Sequence, residues 1–289
     1  MKHILVIADP IDSEQIAFER ALKLAKHSVA DIHVVIFCYE SLKLIGDDND
    51  IGHVDLQAAV IEHATKKWQS YLQEQTLEVS VTYDVIWEKY LHSWVVEHCE
   101  QAGYDLVVKT GHRSEALFHT PSDWHLFRES PVPVYSVFSE PHKTRKSILV
   151  ALDLQTRNPE KQQLNDRLIE QAFKLSIQLN LTLHCCFVIE FPTLVKDMDL
   201  IDVRARSNQI EKAVRNKAEQ AFELYGIDNE HLHIKQGKGW QVICDFAHKL
   251  KAECIVVGSV GNKGVRGKLI GNTAEKVIQQ AHTDLMVIS

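Results

Sequence analysis

KHILVIAD (2–9) returns half a chain later as KSILVALD (146–153). Each copy is an aliphatic run closed by an aspartate, Asp9 in one and Asp153 in the other. Near-continuous apolar character in so short a run suits a central strand of a parallel sheet, which helices cover on both faces. A repeat of that run predicts a repeat of the sheet around it. DIHVVIFCYE (31–40) is answered by LTLHCCFVIE (181–190), DLVVKT (105–110) by ECIVVG (253–258), and VPVYSV (132–137) by DLMVIS (284–289).

Within the first half, HILVIA (3–8), DIHVVIFC (31–38), VSVTYD (79–84), YDLVVK (104–109) and VPVYSVF (132–138) read as five strands. Helical patterns fall between them near 13–28, 55–75, 91–102 and 121–129; in the first, Ala17, Ala21, Leu24 and Ala25 share one face. Strands alternating with helices imply βαβ units and a parallel sheet. The polar stretch SEPHKTRK (139–146) reads as a linker. The expected architecture is therefore two tandem α/β domains, 1–140 and 147–289, each a five-stranded parallel sheet with helices on both faces.

Composition excludes several function classes. With 32 basic and 39 acidic residues the formal charge is −7. That gives no electrostatic basis for broad nucleic-acid binding or for an anionic membrane surface. No stretch reaches the roughly 18 apolar residues of a membrane helix, and MKHILVIADP is too short an apolar run for a signal peptide. Six cysteines without CxxC spacing suit reduced thiols. The expectation is a cytoplasmic protein with no membrane insertion.

Five of the twelve glycines lie in GSVGNKGVRGKLIGNT (258–273). Gly258 closes the strand IVVG, and a helix opens at Asn272–Thr273 after Gly271. In an open α/β domain, ligands bind beyond the carboxyl ends of the strands. A helix N-terminus there offers free N–H groups and a dipole that favours anions. Lys263, Arg266 and Lys268 add positive charge. The competing reading is a structural turn in which Asn272 and Glu275 cap the helix reciprocally. The spacing is not that of a P-loop, because Gly261 stands one residue too far from Gly267–Lys268 and Leu269 follows; no G-x-G-x-x-G occurs.

Gly258-x2-Gly261-x9-Gly271 followed by Asn272 resembles the ATP-binding signature of the universal stress proteins, G-2x-G-9x-G-[ST], and the resemblance spans the chain as two tandem domains. It implies an ATP site in the second domain. Asp153 would stand near the adenine, the Val188 backbone would contact the base, and Gly258, Gly261, Gly271, Asn272 and Thr273 would hold the phosphates. Asn272 departs from the family's Ser or Thr, and Thr273 is the nearest substitute hydroxyl. The resemblance further implies a role in survival under stress, including DNA damage. That role would run through unknown protein partners rather than chemistry, with slow ATP hydrolysis left open.

In the first half Thr110, Arg113 and Thr120 stand where Gly258, Gly261 and Gly271 stand in the second. Thr110 resists positive φ. Pro121 has no N–H to offer, and Asp123 places in the first helical turn a carboxylate that would repel phosphate. The first domain is expected to lack the glycine signature and the nucleotide.

Other clusters carry weaker readings. His184 and Cys186 alternate with Cys185 along a strand and read as core rather than as metal ligands. Asp123-Trp124-His125 reads as a helical turn with Trp124 inward, and no G-x-S-x-G elbow occurs. Trp87, Tyr90, Leu91, Trp94, Phe118 and Trp124 read as core or domain interface. The alternative function rests on them: an apolar-ligand or partner-docking module whose glycine loop is only structural. The hydrophobic last strands of the two sheets are expected to pair within the chain, because bare apolar edges invite aggregation. A homodimer of whole chains stays open.

Overall fold

The computed structural model describes residues 1–26, 28–40, 53–111, 121–138, 145–194, 201–225, 227–259 and 270–289. The chain divides into two compact units, Met1–Val137 and Phe138–Ser289. The first unit runs β1 (His3–Ile7), α1 (Ile16–Ala25), β2 (Asp31–Phe37), α2 (His53–Gln73), β3 (Val81–Ile86), α3 (Leu91–Ala102), β4 (Leu106–Thr110), α4 (Pro121–Glu129) and β5 (Val134–Val137). All its strands are parallel, in the order β3-β2-β1-β4-β5.

The second unit runs β6 (Ser147–Ala151), α5 (Pro159–Leu179), β7 (Thr182–Ile189), α6 (Val203–Glu223), β8 (Leu232–Gln236), α7 (Gly239–Lys249), β9 (Ala252–Gly258), α8 (Asn272–Gln280) and β10 (Asp284–Ile288). Its strands are again parallel, ordered β10-β9-β6-β7-β8. Each unit is thus an α/β layer structure in which the strand order reverses beside its first strand, between β1 and β4 and between β6 and β9. Such a reversal opens a crevice at the strands' carboxyl ends.

The aliphatic runs lie where continuous apolarity predicts. Ile4, Leu5 and Val6 of β1 and Ile148, Leu149 and Val150 of β6 are all fully buried. Ala17, Ala21, Leu24 and Ala25 form the buried face of α1, and Trp68 of α2 packs edge-on against Phe18 with ring centroids 5.6 Å apart. Helix α5 has its stops written locally. The Asn158 side chain accepts the Glu160 N–H, Pro159 supplies the first helical residue, and Asn180 ends the helix in the left-handed conformation.

Strand ends differ from the sequence reading by one or two residues, and β3 runs on through Val85 and Ile86. Strand β8 has no counterpart among the runs singled out from sequence. It is an edge strand with only Leu232 well buried, so its alternation is weak. Trp124 is a correction. It is only partly buried, edge-on to Phe127 with centroids 6.4 Å apart, while Asp123, Leu126 and Phe127 are the fully buried residues of the turn. The linker segment 139–144, Arg113, Phe118 and Thr120 lie outside the described residues.

Candidate functional site

At the carboxyl ends of β6, β7 and β9 the second unit encloses a cavity of about 580 Å³. That lies within the roughly 300–1,000 Å³ common for small-molecule sites. The β6–β9 reversal places it, and α5, α7 and α8 wall it. Leu164, Leu168, Phe187, Ile243 and Val257 contribute apolar surface; Asp153, Glu190 and Lys161 are the charged residues of its described lining.

Gly258 is needed for close approach. A Cβ there would stand 2.6 Å from Cδ2 and 3.1 Å from Cγ of Leu164, so any side chain would require the Leu164 side chain to move. Ser259 ties the end of β9 to β10 and to the start of α8: its N–H donates to the Ile288 carbonyl at 2.8 Å, and its carbonyl accepts the Gly271 N–H at 2.9 Å. Gly271 is the N-cap of α8 and supplies no side-chain acceptor. The N–H groups at the start of an α-helix have no partner within the helix, and here they open onto the cavity lined by Asn272, Thr273 and Ala274. Asn272 is the first helical residue rather than the cap, so the reciprocal Asn272–Glu275 cap considered from sequence does not form.

Glu190, just past β7, caps α7 instead: its carboxylate accepts the Gly239 N–H at 2.9 Å. Gly239 also touches its neighbours closely, since a Cβ there would lie 2.9 Å from Cγ2 of Thr273 and 3.3 Å from the Glu190 carboxylate. The starts of α7 and α8 therefore meet at the cavity wall.

Asp153 is exposed, just beyond β6. Its backbone is held by one side chain: Asn165 Oδ1 accepts the Asp153 N–H at 3.1 Å, and Asn165 Nδ2 donates to the Asp153 carbonyl at 2.8 Å. Val188 lies two residues beyond Cys186, whose carbonyl accepts the Leu152 N–H. Alternate residues of a strand point their N–H and C=O to the same side. The Val188 backbone thus faces the crevice, past the last β6–β7 pair, Ala151 with Cys186. Six of the residues singled out from sequence, Asp153, Val188, Gly258, Gly271, Asn272 and Thr273, line this one cavity. Gly261, with Lys263, Arg266 and Lys268, lies outside the described residues. Sequence reasoning passed over Lys161, Leu164, Asn165, Glu190 and Gly239. The Asn158-Pro159 helix start and the Leu164/Leu168 spacing were the available signals for the α5 wall.

The first unit is built differently at the same place. Ile4 pairs with Leu106 as Ile148 pairs with Cys254. Counting onward sets Thr110 against Gly258, Lys109 against Val257 and Asp9 against Asp153. The Asp9 carboxylate accepts the Thr110 hydroxyl at 2.8 Å and the Ala17 N–H at 3.1 Å. Lys109 Nζ meets the Asp123 carboxylate at 2.7 Å, with the two side chains only 7% and 3% exposed, and also donates to the Thr110 carbonyl at 2.8 Å. Asp123 is thus neutralised and inside, rather than a free charge facing the crevice.

The remaining candidates are accounted for by their neighbours. Nδ1 of His184 lies 3.0 Å from Nε2 of His233, and burial, followed by the charges of His233 and His231, pushes His184 down to about 4. Burial raises the Cys186 thiol to about 12. In the first unit the aromatic side chains meet in pairs. Trp94 stacks on His98 at 3.7 Å and stands edge-on to Phe37, and Trp87 stands edge-on to Tyr39.

The universal stress protein family model matches residues 1–137 and again 144–289. Universal stress protein E of Escherichia coli (strain K12) is 29% identical over 99% of this chain and 93% of its own length. Universal stress protein E of Salmonella typhi is 30% identical over 99% and 94%. A crystal structure of a putative universal stress protein from Pseudomonas aeruginosa UCBPP-PA14 aligns over 99% of this chain and 92% of its own, with a TM-score of 0.72 at 26% identity.

Proposed function

The chain belongs to the universal stress protein family, twice over in tandem, and from that premise we propose that its second domain binds an adenine nucleotide of the ATP type while its first does not. Family membership supports a stress-response role. The finer reading is a cytoplasmic protein that aids survival under stress, including DNA damage, by changing its partners when nucleotide is bound. It acts as a binder rather than as a catalyst.

The observation that carries the reading is the uncapped start of α8 opening on the same cavity as Asp153. That arrangement offers N–H donors to a polyphosphate at one end and a carboxylate acceptor to an exocyclic amine at the other. Asp153 is then the base-recognising residue. Asp153→Ala is expected to weaken ATP by about 1–3 kcal/mol and to leave inorganic triphosphate unchanged, as read by titration calorimetry. Parallel losses for the two ligands would assign Asp153 to the fold instead. Small molecules released from the natively purified protein should show adenine absorbance; lipid-like masses would favour an apolar ligand.

A further inference from the structure

Helix α5 spans 21 residues and α1 only 10. Their buried positions align when Ala17, Phe18, Ala21, Leu24 and Ala25 are set against Leu168, Ile169, Ala172, Leu175 and Ser176. Residues Pro159–Asp166, about two turns, then have no helical counterpart in the first unit. They supply Leu164, which fills the space against Gly258, and Asn165, which reaches Asp153.

The two units tie their strand-closing aspartates differently. In the first, the carboxylate itself is engaged, by the Thr110 hydroxyl and the Ala17 N–H, while the Gln15 amide donates to the Asp9 carbonyl at 3.2 Å. In the second, the backbone is engaged and the carboxylate has no hydrogen-bond partner among the described residues. Residue 153 sits in irregular chain past the end of β6, beyond the ladder, with one backbone bond at its carbonyl, from the Thr156 N–H at 3.3 Å. A primary amide carries one acceptor and one donor side by side. Bonding the N–H and the C=O of the same residue, it holds that residue's Cα, and hence the direction in which its side chain leaves the chain.

We infer that Asn165 is a positioning residue for Asp153, holding the free carboxylate where it recognises the base of the nucleotide. This rests on the nucleotide reading of the cavity. The role concerns base selection and leaves the phosphates alone, because Asn165 acts on the β6 side of the cavity and the polyphosphate lies at α8.

The test is calorimetric titration of the full chain with ATP, GTP and inorganic triphosphate. Asn165→Leu is close to isosteric and can neither donate nor accept. It is expected to weaken ATP about tenfold, to erase the preference for ATP over GTP, and to leave triphosphate as in the wild type. Asn165→Gln keeps the amide and should retain more of the preference than the leucine variant, which guards against a mere packing defect. In an Asp153→Ala background, Asn165→Leu should cost ATP nothing further, since a residue acting through another has no effect once that other is gone. Unchanged ATP binding by Asn165→Leu, or equal losses for ATP and triphosphate, would overturn the positioning role alone. So would a full second loss in the Asp153→Ala background. A wild-type chain that binds none of the three ligands would overturn the nucleotide reading and this inference together.

Discussion

At the carboxyl end of β4 a lysine and an aspartate meet inside the first unit, Lys109 with Asp123. At the same ladder position and the same helical turn of the second unit stand Val257 and Ala274, which line an open cavity. One backbone plan, five parallel strands reversing beside the first, serves both. Two apolar side chains line the cavity where, in the first unit, two charged ones meet each other. The aspartates that close β1 and β6 follow the same contrast, Asp9 turned to the protein and Asp153 to solvent. Duplication has kept the scaffold, and the two copies differ in the side chains at a few strand ends.

The sharpest way to break this comparison is to remove one member of the buried pair. Lys109→Met leaves the Asp123 carboxylate buried without its cation and should destabilise the first unit by about 3–5 kcal/mol in urea unfolding. Lys109→Val combined with Asp123→Ala, the residues of the second unit, should recover most of that loss. A single variant that costs nothing would mean the pair is solvated and fills no crevice.

A smaller effect is expected from copying the first unit into the second. Gly258→Thr introduces a side chain into space held by Leu164. It should cost about 1–3 kcal/mol of stability through overpacking and should abolish ATP binding. Retained binding would show that α5 yields freely and that the close approach is not required.

What the sequence made legible follows from the same physics. The repeated aliphatic runs announced the two sheets, because fully covered parallel strands have almost no polar residues to blur the pattern. Thr110, standing in place of Gly258, marked the first copy as altered before any geometry was known. The mechanism of the alteration was not legible. Asp123 read as an unpaired carboxylate in the first helical turn and Lys109 only as the end of a strand, since each type is seldom buried without a partner and the partner is 14 residues away across a helix start. For the same reason Trp124, the larger apolar body, was taken as the inward residue of its turn. The edge strand β8 escaped notice because its sequence LHIKQ buries so little. The α5 wall escaped because a helix's length past its core face shows only in its cap.

The smallest expected effect is a pH dependence. His184 is held near 4 against an ordinary value of 6.5, chiefly by burial. Unfolding lets it take up a proton, so its contribution is full above pH 6.5 and is lost as pH falls toward 4. His184→Phe should flatten the stability curve within that window and leave stability near pH 8 little changed. An unaltered slope would assign the acid sensitivity to other groups, His233 first among them, because it is lowered by the same burial.

The contrast between the copies is tested most directly by the stoichiometry of ATP binding to the intact chain. One ATP per chain is expected by titration calorimetry, lost in Gly258→Thr and kept in Asp9→Ala. Two ATP per chain, or a single site that survives Gly258→Thr and disappears in Asp9→Ala, would contradict it.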